Sequence, residues 1–292
     1  MTDSIPAPGT PTPASPDTPP TDTSAAPTPD TSGSAAPTPG GPVLVLVAMA
    51  QEAAPLHRRL EGARAIPVPL AGASARAGRL AGQEVVVLTS GIGVAAATAA
   101  TTWGILTQHP RLVIDTGSCG GLAADIEVGT VVVGSAFTWS LADATAFGYA
   151  PGQVPGGPVR HEAEPTLVDR ATAAADHLLR HGAGTGSGGA EGSDTVGGLD
   201  AGAVRAGLML SGDAFVTAPL AGPLRERFPE ALTADMETTA IARTCEAMGV
   251  PFLAVRTVSD LCGPAAGQQF HLELEVVAER SAAVVEELLR GL

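Results

Sequence analysis

Three carboxylates stand where acid–base chemistry could use them: Glu52, Glu237 and Asp260. The last two belong to the stretch 232–261, LTADMETTAIARTCEAMGVPFLAVRTVSDL, which reads as strand, helix, strand. Glu237 follows the first strand and Asp260 the second. Open α/β sheets bind ligands at that edge. One positioned acid and one positioned base are what general acid–base catalysis requires. Glu52 follows the apolar run VLVLVAM (43–49) at a turn from strand to helix. Taken alone, an acid in a first helical turn simply complements the helix dipole.

The elements that must hold these acids follow from patterning. Residues 43–49 form a buried strand and 51–60 a helix. Residues 74–80 and 83–89 read as strands paired about the turn at Ala81 and Gly82. Ser90-Gly91-Ile92-Gly93 opens a helix at 94–106. Residues 111–116 form another strand, running into a small-residue loop, Gly117-Ser118-Cys119-Gly120-Gly121. That loop lacks a Walker lysine and the spacing of a dinucleotide fingerprint, yet it would let a ligand approach the backbone. Strands are expected at 128–139 and 204–210, and helices at 164–181, 237–248 and 272–290. Gly249 should stop the 237–248 helix in a left-handed cap, and residues 251–258 form the strand that follows it. Phe147 and Tyr149 lie in a long loop, 143–156, suited to a lid or a subunit contact. The alternation argues a single α/β domain over 42–292. Its central sheet is mixed and largely parallel, with helices on both faces. Residues 1–41, almost wholly Pro, Thr, Ser, Ala, Gly and Asp, are expected to form a disordered tail. Residues 182–202 are expected to form a flexible glycine-rich insertion.

Composition narrows the function classes. The chain has 292 residues, 45% of them hydrophobic, a net charge of −14 and no lysine. An acidic surface without a basic stripe argues against nucleic-acid binding. No apolar run approaches the roughly 20 residues of a membrane span. The three cysteines, Cys119, Cys245 and Cys262, have no metal-ligand spacing, and their odd number fits a reducing cytoplasm. No metal or cofactor is expected.

Taken together, VAMAQE (47–52), SGIG (90–93), DTGSCGG (115–121), DATAFGYAPGQVPG (143–156), SGDAFV (211–216), ADMETTAIA (234–242) and VRTVSD (255–260) resemble the nucleoside phosphorylase and nucleosidase superfamily. Within it they are most similar to the methylthioadenosine/S-adenosylhomocysteine nucleosidases. The resemblance implies hydrolysis of an N-glycosidic bond. It makes Glu52 the base that activates water, Asp260 the acid at purine N7, and Glu237 the holder of the ribose hydroxyls above Met236. It puts Phe215 on adenine and the Val216 backbone at its edge, and Ser118 and Gly120 on the ribose and water side. It lines the 5′-alkylthio pocket with Met49, Ile92 and Phe270, and it implies a homodimer in which Phe147 and Pro155 reach the neighbour's pocket. Ala50 and Gln51 stand where the family often has acids, Cys119 where it has alanine, and Asp235 where it has glutamate. The role expected of Asp235 is structural.

The chemistry agrees with that set. N-glycosidic cleavage passes through an oxocarbenium-like state and needs an acid behind the leaving base and a carboxylate behind the water. Rival readings are a futalosine- or aminofutalosine-type nucleosidase, a phosphate-dependent purine nucleoside phosphorylase, and a non-catalytic nucleoside-binding protein. Phosphorolysis calls for arginines on phosphate, and none occurs across 117–131. Pure binding would not require both an acid and a base.

Overall fold

The computed structural model describes residues 40–181 and 203–292. The insertion at 182–202 and all but the last two residues of the expected tail lie outside them. Strand β1 (Val43–Val47) is fully buried, as an apolar run covered on both faces should be. Helix α1 (Ala50–Arg59) follows, then β2 (Glu61–Ile66), β3 (Ser74–Leu80), β4 (Gln83–Thr89) and α2 (Val94–Gln108). Next come β5 (Leu112–Gly121), β6 (Val131–Trp139), a 3₁₀ turn at Thr145–Phe147, β7 (His161–Glu162) and α3 (Pro165–His181). The chain ends with β8 (Val204–Ser211), α4 (Ala218–Arg227), β9 (Ala231–Asp235), α5 (Thr238–Met248), β10 (Phe252–Asp260) and α6 (Ala266–Arg290).

The sheet is mixed. Parallel pairings join β1 to β4 and β5, β5 to β10, and β8 to β6 and β9. Antiparallel ones join β2 to β3, β3 to β4, β10 to β6 and β9 to β5. The chain of partners β5, β10, β6, β8, β9 returns to β5, so one end of the sheet closes on itself. Helix α6 packs on β5 and β10 and touches α1 and α3; α2 and α5 pack together. Among the described residues no helix is long and apolar enough to cross a membrane.

Several differences from the sequence expectations bear on the site. β5 continues through the small-residue run instead of ending at Thr116. Glycine is a poor strand former, but pairing on both edges overrides propensity. Ser118 and Cys119 lie against Thr257 and Val258 of β10, and Gly120 and Gly121 against Ala234 and Thr233 of β9. β10 carries a bulge between Val258 and Asp260, which re-aims the Asp260 side chain. α6 starts at Ala266 rather than 272, so Phe270 lies in the helix, close to its start. β2 and α4 were not expected. β2 is almost entirely exposed and shows no apolar alternation, and α4 contains Pro223.

Candidate active site

A cavity of about 340 Å³ opens at the carboxyl ends of β1, β5, β9 and β10. Each catalytic or binding candidate other than Phe147 and Pro155 lines it. Glu52 and Met49 enter from the start of α1, Ile92 from the turn before α2, and Ser118 and Gly120 from β5. Phe215 and Val216 enter from the loop after β8, Met236 and Glu237 from the β9–α5 turn, Asp260 from β10, and Phe270 from α6. Phe147 points away, 83% exposed, and Pro155 is exposed in the same loop.

Glu52 is buried and held by four donors. Its Oε2 accepts from the Ala48 and Met49 N–H groups at 3.1 and 3.0 Å. Its Oε1 accepts from the Ser118 N–H at 2.9 Å and the Ser118 hydroxyl at 2.8 Å. Two lone pairs on each oxygen are thereby used. Three of the four donors are fixed backbone; only the Ser118 hydroxyl can rotate away. Glycine at 117 is what admits this carboxylate. A Cβ there would meet Glu52 Oε1 at 2.5 Å, and its φ of +143° disfavours any side chain.

Arg256, almost fully buried, forms part of the cavity lining. Its Nε and Nη2 bond both oxygens of Asp115 at 3.0 Å, Nη2 also reaches Glu237 Oε2 at 3.2 Å, and Nη1 donates to the Ser118 carbonyl at 2.7 Å. Glu237 Oε1 accepts from the Gly93 N–H at 2.9 Å. Burial pushes Glu237 up to about 7 and Asp115 up to about 6, and Arg256 only partly offsets it. Asp235 Oδ1 accepts from Ser211 Oγ and from the Glu237 and Thr238 N–H groups, so it ties the β9–α5 turn to the end of β8. Gly249 ends α5 in a left-handed conformation.

Asp260 is buried at the bulge. The Cys262 N–H and Ser259 Oγ–H bond its two oxygens at 3.0 Å each. Burial raises its pKa against those two bonds, which favour the ionised form. A carboxyl so placed keeps a proton more readily than an ordinary aspartate. The two carboxyls differ in their surroundings: Glu52 accepts from four donors, while Asp260 accepts from two and is raised by burial.

The family model of the phosphorylase superfamily matches residues 42–290, nearly the whole described domain. The chain belongs to the phosphorylase superfamily. A solved structure from Neisseria meningitidis, a 5′-methylthioadenosine/S-adenosylhomocysteine nucleosidase in complex with methylthio-immucillin-A, is 36% identical to it. The match covers 86% of this chain and 100% of that one, with a TM-score of 0.75. A nucleosidase of the same kind from Colwellia psychrerythraea, in complex with adenine, is 30% identical over 86% of this chain and 95% of that one, at 0.75. The Streptococcus pneumoniae enzyme in complex with 8-aminoadenine is 28% identical over 86% and 100%, at 0.74. Within the superfamily, the chain's place is with these nucleosidases.

Sequence reasoning missed Arg256 and Asp115, the pair on which this superfamily member's site is built. Each follows an apolar run, FLAV before Arg256 and LVI before Asp115, and a charge set in a buried run is the signal that could have found them. It also missed Ser259 and Cys262, which line the cavity beside Asp260. Among the described residues no group of three or more His, Cys, Asp or Glu is arranged to hold a metal ion.

The raised carboxyls make a stability prediction. Glu237 and Asp115 bind protons more tightly in the folded chain than in the unfolded one, so stability falls as pH rises from about 4.5 through 7. For Glu237 alone the loss is on the order of 3 kcal/mol. Tm should therefore drop between pH 5.5 and 8, and Glu237→Gln should flatten that drop. An identical pH slope in the variant contradicts the assignment.

Proposed function

We propose that the protein hydrolyses the N-glycosidic bond of 5′-methylthioadenosine and S-adenosylhomocysteine, releasing adenine and the corresponding thioribose. The observation that carries hydrolysis over phosphorolysis is the charge of the cavity. Among the described residues lining it, Arg256 is the one basic side chain, and Asp115, Glu237 and the Ser118 carbonyl already occupy it. Glu52, Asp235, Glu237 and Asp260 surround the same space. No free cation remains to hold a phosphate, and the ionised carboxylates among these four favour a cationic sugar.

The reaction then runs as follows. Adenine lies against Phe215, with its edge at the Val216 backbone. Glu237 accepts hydrogen bonds from the ribose 2′- and 3′-hydroxyls above Met236. Met49, Ile92 and Phe270 surround the 5′ sulfur. The Ser118 hydroxyl turns from Glu52 and yields its lone pair to a water, while Gly120 leaves room beside the sugar. As the C1′–N9 bond breaks, its electron pair passes into the purine and Asp260 gives N7 a proton. The water oxygen bonds C1′, and its proton passes to Glu52. The test is to incubate purified protein with 5′-methylthioadenosine in phosphate-free and in phosphate buffer. Free methylthioribose at equal rates is expected, and a sugar 1-phosphate or a requirement for phosphate contradicts the reading.

The same reading includes a homodimer. Phe147, Leu141 and Val154 are exposed apolar side chains on one stretch of chain, and Ile92 and Phe215 are exposed at the cavity rim. An apolar rim of this kind marks an interaction surface. A second copy would cover it, placing Phe147 and Pro155 near the partner's 5′ pocket. Sedimentation at micromolar concentration should give a dimer, and Phe147→Asp should weaken both association and turnover. A fully active monomer contradicts this.

A further inference from the structure

The turn before α2 and the loop after β8 meet at one carboxylate. Asp213, exposed in the loop 212–217, accepts through Oδ1 from the Val94 N–H at 2.7 Å. Val94 opens α2, and the first N–H groups of a helix have no partner inside it. Gly93, the residue before it, has no side chain with which to cap the helix. Asp213 therefore caps α2 from 119 positions away. The bond is as short as a charge-assisted one. Gly93 makes room for it: a Cβ there would meet the same Oδ1 at 2.8 Å, and its φ of +101° favours glycine.

Both of the joined segments line the active-site cavity. Phe215 and Val216 follow Asp213 closely in the loop, and Ile92 closely precedes Val94. Ile92 and Phe215 are exposed at the rim. The Gly93 N–H, adjacent to the clasped one, donates to Glu237 Oε1 at 2.9 Å. The base of the loop is fixed separately, by the Gly212 N–H on the Asp235 carbonyl at 3.2 Å. Asp213 ties the next part of the loop to the far wall.

We propose that Asp213 is a positioning residue that clasps the loop 212–217 to the start of α2. It sets Phe215 and Val216 in register with Ile92 and Glu237. The inference rests on the nucleosidase reading, in which the loop takes the purine while Ile92 and Glu237 take the ribose and its 5′ substituent. Asp213 touches no part of the substrate in that reading. A nucleoside spans both walls, whereas free adenine does not reach the wall at Ile92. Loss of the clasp is therefore felt by nucleosides and not by adenine. A bound nucleoside holds the walls together itself, so the loss falls on binding rather than on turnover.

Two measurements on the full chain test this. Hydrogen exchange of the ligand-free protein, followed by mass spectrometry, reads the clasp itself. Asp213→Ala should speed exchange at the start of α2 and in the loop, and Asp213→Asn, which keeps an acceptor oxygen, should not. Kinetics and adenine binding read the consequence. Asp213→Ala should raise KM for 5′-methylthioadenosine about 5-fold, the worth of one lost helix cap, with kcat and the Kd of adenine each within about 2-fold. Asp213→Asn should recover most of that KM. A variant that is merely less well folded would lose adenine affinity and kcat as well. Unchanged exchange or unchanged KM in Asp213→Ala, equal losses for adenine and nucleoside, or an Asp213→Asn as impaired as Asp213→Ala would overturn the clasp. If the wild-type protein neither cleaves 5′-methylthioadenosine nor binds adenine, the nucleosidase reading fails and the positioning role falls with it, whatever the exchange shows.

Discussion

Glu52→Gln should lower kcat for 5′-methylthioadenosine by at least about 10²-fold, the lower end of what one general base contributes. The substitution keeps the outline of the side chain but not its hydrogen bonding. The native carboxylate accepts from Ala48 N–H, Met49 N–H, Ser118 N–H and Ser118 Oγ–H. A glutamine has one acceptor oxygen, and its NH₂ must face either the Ala48 and Met49 donors or the Ser118 N–H. A buried donor left unpaired costs about 1–3 kcal/mol, so Tm should fall as well. The two effects separate by measurement. Single-turnover rates report the lost base, thermal melts report the misplaced donor, and retained affinity for adenine shows that the cavity survives. Near-normal turnover removes Glu52 from the role of base.

Asp260→Asn should give the second large effect, about 10²–10⁴-fold in kcat for adenine nucleosides. Asparagine oxygen can still accept from the Cys262 N–H, the bond that sets the side chain at the bulge. Its NH₂ can still donate a hydrogen bond to N7, so KM should change little. What it cannot do is transfer a proton. The loss should therefore track the leaving group: severe for adenine and smaller for a purine that departs readily as an anion. Equal impairment with both leaving groups would show that Asp260 orients the base rather than protonating it.

How far the site could be read from the sequence depended on how local its causes were. The acids at 52, 237 and 260 were legible because each lies at, or within a turn of, the carboxyl end of a strand that is itself legible. The course of β5 through Gly117–Gly121 was not, because neighbouring strands on both edges impose it against glycine's own preference. The closure of the sheet through β9 has the same origin: it rests on pairings between strands far apart in the chain. Arg256 announces itself only as a charge in an apolar run, and its role is not legible there since its partners lie 141 and 19 positions away, in Asp115 and Glu237. Edge strand β2 buries no face and so leaves no periodicity to read. Asp235, expected to be structural, both holds the β9–α5 turn through its hydrogen bonds and lines the cavity.

In the proposed reaction a water activated at Glu52 attacks the face of the sugar opposite the departing purine. Opposed acid and base carboxylates of this kind invert the anomeric centre. The direct measurement is the configuration of the sugar formed first, followed by rapid-acquisition NMR during turnover of the β-nucleoside 5′-methylthioadenosine, before the anomers equilibrate. The α-anomer of free methylthioribose is expected, with or without phosphate. The β-anomer formed first, or a sugar 1-phosphate, would contradict it.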